Sequence, residues 1–196
     1  MYELPTSIEL EGQSFAIRDD GDFRMVLDCF SILNDYDLEL EERLLGALSI
    51  FYADIKKDLS EISKLPSIEE AVKKMYEFFN CRSPEISQKR PDYKLIDWEV
   101  DEILITSAIN QVAGKEIRLE KYIHWWTFMG YYMAVGECSL STVVSIRHKI
   151  ATNQKLEKYE KKFRAENPQY FTVDVRSKAQ QEADAMVRNL WGSGKG

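Results

Sequence analysis

The chain has 196 residues, 33 of them acidic and 26 basic, for a formal charge of −7; 44% are hydrophobic and 12% aromatic. That is long and apolar enough to build a core and excludes a wholly disordered chain. The acidic balance argues against a general binder of nucleic acid or anionic membrane, which needs clustered Lys and Arg to meet phosphates.

The first twenty residues alternate. Ile8 and Leu10 stand between polar neighbours, as do Phe15 and Ile17, with Gly12 between the two runs. Two period-2 runs around a glycine predict a β-hairpin, whose apolar face must dock on a larger core. Asp19, Asp20 and Asp22 then offer N-caps to a helix carrying Phe23, Val26, Leu27 and Phe30. A second helix is predicted over 38–54, with Leu40, Leu44, Leu45, Leu48 and Phe51 on one stripe. Ser67 and Glu70 form a capping box after Pro66, so a third helix starts near 68 and presents Val72, Met75, Tyr76 and Phe79.

Residues 82–96, with Pro84 and Pro91, read as a linker. The charge changes sign nearby: residues 1–80 hold 18 acids and 8 bases, net −10, and residues 81–196 hold 15 acids and 18 bases, net +3. Asp97 is expected to cap the next helix, carrying Trp98, Ile103, Ile105 and Ile109 and ending at Gly114. A helix over 119–135 reads as apolar nearly all round and is expected at the centre of a helical core. It contains the most apolar run, Trp125 to Val135, well short of the roughly 18 residues a membrane span needs. Ser139 or Ser141 caps a helix with Val143, Val144, Ile146 and Ile150. Residues 155–166 form a charged helix with a narrow stripe of Leu156, Tyr159 and Phe163. A final amphipathic helix is expected near 174–191, followed by a frayed tail, Gly192–Gly196. The fold class is therefore mainly α: a multi-helix globular bundle with a short N-terminal β-hairpin. The expected segments are the hairpin and acidic helices at 1–81, a linker at 82–96, an aromatic-rich helical core at 97–153, and a charged helix, C-terminal amphipathic helix and tail at 154–196, together one compact domain with a C-terminal appendage.

No catalytic, cofactor or metal site emerges. Cys29, Cys81 and Cys138 have no framework spacing, which suggests a reducing compartment. No signal peptide is expected at Met1–Pro5. His124 and His148 lie on different helices and lack the i, i+4 partners of a helical metal site; His124 is read as a polar group at the edge of the core. Gly192-Ser-Gly-Lys195 fails as a phosphate loop, since Asn189 replaces the first glycine and Gly196 follows the lysine. Adjacent carboxylates such as Glu41 and Glu42 diverge around a helix. What remains is surface. Residues 147–164 hold seven bases and two acids, net +5. Their readings are a solvated face, a protein-binding face, or a nucleic-acid contact. The terminal helix, ending in Met186, Leu190 and Trp191, packs on its own domain or docks into a partner groove.

The run Tyr122-Ile-His-Trp-Trp-Thr-Phe-Met-Gly-Tyr-Tyr132, followed by Ser145-Ile-Arg-His-Lys-Ile150, resembles a family of siphophage tail-cluster proteins usually called by gene-product number fifteen. The likeness extends over most of the chain, including Leu4-Pro5-Thr6-Ser7 and Asp22-Phe23-Arg24, and is most specific at His124-Trp125-Trp126. It implies a non-enzymatic tail assembly chaperone in the host cytoplasm, without cofactor, that coats the tape-measure protein before the tail tube polymerises. Within that resemblance, Trp98, Trp125, Trp126, Phe128 and Tyr132 are assigned to the core. Lys155, Lys158, Lys161, Lys162 and Arg164, with Met186, Leu190 and Trp191, are the expected partner contacts. The tape-measure protein and a second copy of the chain are the candidate partners. The rivals are a structural or tail-completion component of the virion, a small helical enzyme or nucleotide-binding regulator, and a nucleic-acid or protein adaptor.

Overall fold

The N-terminal alternation forms an antiparallel pair in this computed structural model, which describes residues 3–55, 59–82 and 95–171. Strands β1 (Ser7–Leu10) and β2 (Gln13–Ala16) put Ile8 opposite Phe15 and Leu10 opposite Gln13. Glu11 and Gly12 both have positive φ, 48° and 78°, the turn geometry that matches strand twist. Ile8, Leu10 and Phe15 face inward and are buried. The hairpin is held by Ala53 N–H donating to Ala16 O at 2.9 Å, and by the Asp54 carboxylate accepting Ala16 N–H at 2.7 Å.

The described residues are mainly α, with seven helices besides the hairpin. They fall into two units. The first takes the described residues up to 82 together with Tyr122–Met129; the second takes 95–121 and 130–171. A short piece of the middle region, Tyr122–Met129, thus falls with the N-terminal unit.

In the first unit, α1 (Phe23–Leu33) is capped by the Asp22 carboxylate, which accepts Arg24 N–H at 3.0 Å. Helix α2 (Leu40–Phe51) opens with a capping box from Glu39 and Glu42. Its C-terminus is closed from a distance. The Arg18 guanidinium donates to the carbonyls of Ser49, Ile50, Tyr52 and Ile55 at 2.6–3.0 Å. Those carbonyls lack helical partners, and a cation there also meets the negative end of the helix dipole. Helix α3 (Ile68–Phe79) begins where the capping box predicts, with Ser67 Oγ accepting Glu70 N–H at 3.2 Å.

In the second unit, α4 (Glu102–Ala113) ends at Gly114 in the left-handed conformation, φ 68°. Helix α5 (Trp125–Met133) starts in the first unit and finishes in the second. Helices α6 (Ser139–Ala151) and α7 (Lys158–Glu166) close on Val143, Ile146 and Phe171, with Leu104, Ile150, Leu156, Phe163 and Tyr170 packed around them.

Several boundaries move. The helix expected from Asp97 begins at Glu102, because the Asp97 carboxylate accepts Glu99 and Val100 N–H at 2.9 and 3.0 Å and holds a turn. The N-cap of α6 is Cys138, and Ser141 Oγ accepts Cys138 N–H at 2.8 Å. The helix expected over 119–135 is only Trp125–Met133, and residues before it are extended to pair Asp22 with His124. It is not buried all round: Trp125 and Phe128 are buried, while Met133 is 80% exposed. Tyr159, expected on the inner stripe of α7, is exposed. The helix near 174–191, the tail after it, and residues 83–94 of the linker lie outside the described residues.

Candidate functional surface

The His-Trp-Trp run is a dock for its own chain. Phe23 N–H donates to Ile123 O at 2.9 Å, and Ile123 N–H donates to the Asp22 carboxylate at 2.8 Å. His124 is completely buried rather than placed at the core's edge. Its Nδ1 accepts Trp126 N–H at 3.0 Å, so the proton sits on Nε2, which donates to Pro5 O at 3.1 Å. Burial holds its pKa below the ordinary histidine value, against the opposing pull of Pro5 O and Asp22.

The two tryptophans close the C-terminus of α3. Trp125 Nε1–H donates to Phe79 O and Trp126 Nε1–H to Phe78 O, both at 2.9 Å. Trp125 is edge-on to Phe30 at 5.7 Å and stacks on Phe128 at 5.5 Å; Phe128 in turn stacks on Phe23 at 4.5 Å. Trp126 is half-buried, with the Arg82 guanidinium 5.6 Å above its ring. Trp98 and Tyr132 are half-buried in the second unit, ring centroids 5.5 Å apart.

Gly21 makes the close approach possible. Its φ is +80°, and a Cβ there would lie 2.8 Å from Phe78 Cζ and 3.0 Å from His124 Nε2.

The basic segment divides into buried and exposed parts. Arg147 does not belong to a surface. It is 6% exposed and forms a bidentate pair with Asp101, which is 0% exposed, at 2.6 and 2.9 Å. It also donates to Leu95 O and Tyr170 O, each at 2.8 Å. Counting charges along the sequence missed this. The signal was positional: Arg147 lies four residues after Val143 and three before Ile150, on the apolar stripe of α6. Lys149 is also engaged, 2.7 Å from the Glu160 carboxylate. That bond lowers the Glu160 pKa and raises that of Lys149.

What remains exposed is the outer side of α7. Phe163 lies edge-on to Phe171 at 6.3 Å, and Glu160 is buried beneath Lys149. These contacts turn Lys158, Lys161 and Lys162, at i, i+3 and i+4, away from the unit. Lys155 and Arg164 are exposed beside them. Met186, Leu190 and Trp191 lie outside the described residues.

Chemistry is scarce elsewhere. Burial pushes the Cys29 thiol upward and that of Cys81 to about 11, opposite to an activated nucleophile. Among the described residues, no group of three His, Cys, Asp or Glu could hold a metal. No helix among them is long and apolar enough to cross a membrane. A shallow recess of about 280 Å³ in the second unit is lined by Ile103, Thr106, Ser107, Asn110, Glu116 and Arg118. The Glu116–Arg118 pair at 2.8 Å forms one wall and holds the Glu116 pKa at about 2.

Over residues 1–171 the chain matches the family described as Bacteriophage Gp15 protein. No curated protein and no solved structure gives a significant match.

Proposed function

The chain belongs to the Bacteriophage Gp15 protein family, and from that premise we propose that it is a non-enzymatic tail assembly chaperone. It binds the phage tape-measure protein in the host cytoplasm before the tail tube polymerises. Membership in the family makes it a phage structural or morphogenesis protein; the chaperone role is the narrower reading. The observation that carries it is the family match across 171 of 196 residues. The surface is compatible with the task. Ile103 is 70% exposed and Leu119 83% exposed in the second unit, beside a shallow rather than an enclosed recess. A chaperone for a long helical protein gains affinity from many modest contacts along one rod and needs no deep site.

Co-expression with the tape-measure protein tests the reading. A chaperone raises the soluble fraction of its client and co-purifies with it. If solubility is unchanged and nothing co-purifies, the chaperone role is wrong. Mass spectrometry of purified virions separates the rival: a structural tail component is present in the particle, a chaperone is absent.

A further inference from the structure

Three lysines of α7 crowd one face of the helix that carries them. Lys158 and Lys161 are i, i+3 neighbours, and Lys158 and Lys162 are i, i+4 neighbours, so like charges meet on one face. Lys158 is also the first residue of the helix, at the positive end of its dipole. Some cations elsewhere are paired locally, Lys64 with Glu61 at 3.0 Å, Lys74 with Glu77 at 2.9 Å and Arg118 with Glu116 at 2.8 Å, while Lys73 and Lys121 stand exposed and isolated from one another. Among the described residues, Lys155 just before α7 and Lys158, Lys161 and Arg164 on it have no ion pair, and Lys162 has only a distant one with Glu166, 3.8 Å.

A complementary surface stands in the first unit. From the α1–α2 turn into the first turn of α2, the sequence Asp35-Tyr-Asp-Leu-Glu-Leu-Glu-Glu42 places five carboxylates in eight residues, all exposed. The neighbouring base, Arg43, does not neutralise them. It is buried, lies over the Tyr36 ring at 4.8 Å, and donates to Leu33 O at 3.3 Å. Asp35 and Glu42 accept only backbone N–H groups, those of Asp37 and Glu39. Among the described residues none of the five carboxylates is in an ion pair. A cluster of five exposed carboxylates outside any ion pair among the described residues therefore stands in one unit, and a face of five exposed cations stands in the other.

We propose that the cationic outer face of α7 on one copy docks on the acidic α1–α2 turn of a second copy. The two patches differ, so the contact is heterologous and repeats head to tail into a ring or an open chain rather than stopping at a symmetric dimer. The partner is a second copy rather than a nucleic acid because the complementary charge is present on this chain and its overall balance is −7. The inference does not rest on the chaperone reading, since it concerns the purified chain alone.

Sedimentation velocity and light scattering of the full chain against salt test it. The expected result is a concentration-dependent species larger than a dimer at low salt. The screening length shrinks from about 10 Å at 0.1 M to about 3 Å at 1 M, so association should fall roughly tenfold or more over that range. Lys158→Glu/Lys161→Glu/Lys162→Glu should abolish it, as should Asp37→Lys/Glu41→Lys. A chain carrying both sets, or an equimolar mixture of the two variants, should regain it. Unchanged circular dichroism of each variant shows that folding is intact. A wild-type chain that is monomeric at low salt overturns the proposal. So does failure of the combined reversal to restore association, or a monomer whose α7 cations instead retard a DNA duplex of arbitrary sequence.

Discussion

Replacing Arg147 by methionine removes a guanidinium while keeping an unbranched apolar stem of similar length. Asp101 is then left at 0% exposure without its counter-charge, since its other partner is the Asp97 N–H at 3.0 Å. A buried ion pair broken from one side costs about 3–5 kcal/mol, because the remaining charge is desolvated and unpaired. The carbonyls of Leu95 and Tyr170 also lose a donor, but both residues are half-buried, so water replaces much of that loss. At about 2–4 °C per kcal/mol for a chain of this size, the melting temperature should fall by roughly 6–20 °C. Urea unfolding followed by circular dichroism gives the free energy, and calorimetry the temperature. Asp101→Asn made together with Arg147→Met provides the critical comparison: with the stranded carboxylate gone, the double variant should be more stable than Arg147→Met alone. The two substitutions should couple by about 0.5–3 kcal/mol, as contacting residues do. Two results would refute the reasoning: a cost for Arg147→Met below about 1 kcal/mol, the range of ordinary surface changes, or a double variant equal to the sum of the singles.

Other consequences follow from the His-Trp-Trp dock. Gly21→Ala adds a left-handed strain of about 1–2 kcal/mol and overpacking against Phe78 and His124 of about 1–3 kcal/mol, so denaturant titration should show a loss of about 2–5 kcal/mol. Trp125→Phe strips Phe79 O of its indole donor and should cost about 1–3 kcal/mol. Trp126→Phe should cost less in the same titration, because Phe78 O keeps the Cys81 N–H at 2.9 Å and Trp126 is only half-buried. The lowered pKa of His124 makes the unfolded chain bind the extra proton first as pH falls below about 6.5. Its contribution to stability is therefore complete above that pH and declines as pH falls from there toward the folded value. Nitrogen NMR of the imidazole should show the Nε2–H tautomer at pH 7, with no midpoint near 6.5; an ordinary midpoint would remove the dock's pH dependence.

Local features were legible in the sequence and long-range ones were not. The hairpin, α1 to α3 and the start of α3 at Ser67 follow from alternation, apolar spacing and a capping box, all confined to a few residues. Apolar spacing also identified Val143, Ile146 and Ile150 of α6. It reports that a face is buried, though, and not what covers it. His124 reaches Pro5, Arg18 reaches the end of α2, and Arg147 reaches Leu95 and Tyr170. In each case the acceptor is a main-chain carbonyl, which every residue possesses, so no residue type marks the target. Extended residues before Trp125 are read as helix for the same reason: only pairing with Asp22 makes them extended.

The most distinctive residues of the chain share one chemical task. His124, Trp125, Trp126 and Arg147 lie in the runs that carry the family resemblance, and each directs ring or guanidinium N–H groups to backbone carbonyls of its own chain. Two of those acceptors are the last carbonyls of α3, where the regular i→i+4 bonds run out, and Phe78 O takes the Trp126 indole beside the Cys81 N–H. A donor committed to such a carbonyl is not available to a ligand, and a buried imidazole kept neutral by its surroundings is a poor acid at neutral pH. These runs therefore specify how the chain closes on itself. The proposed docking therefore rests on exposed groups outside these runs, the cations of α7 and the carboxylates around the start of α2. Substitutions in the dock should lower stability, and with it every activity together. Charge reversal on α7 should alter association while leaving the unfolding transition in place.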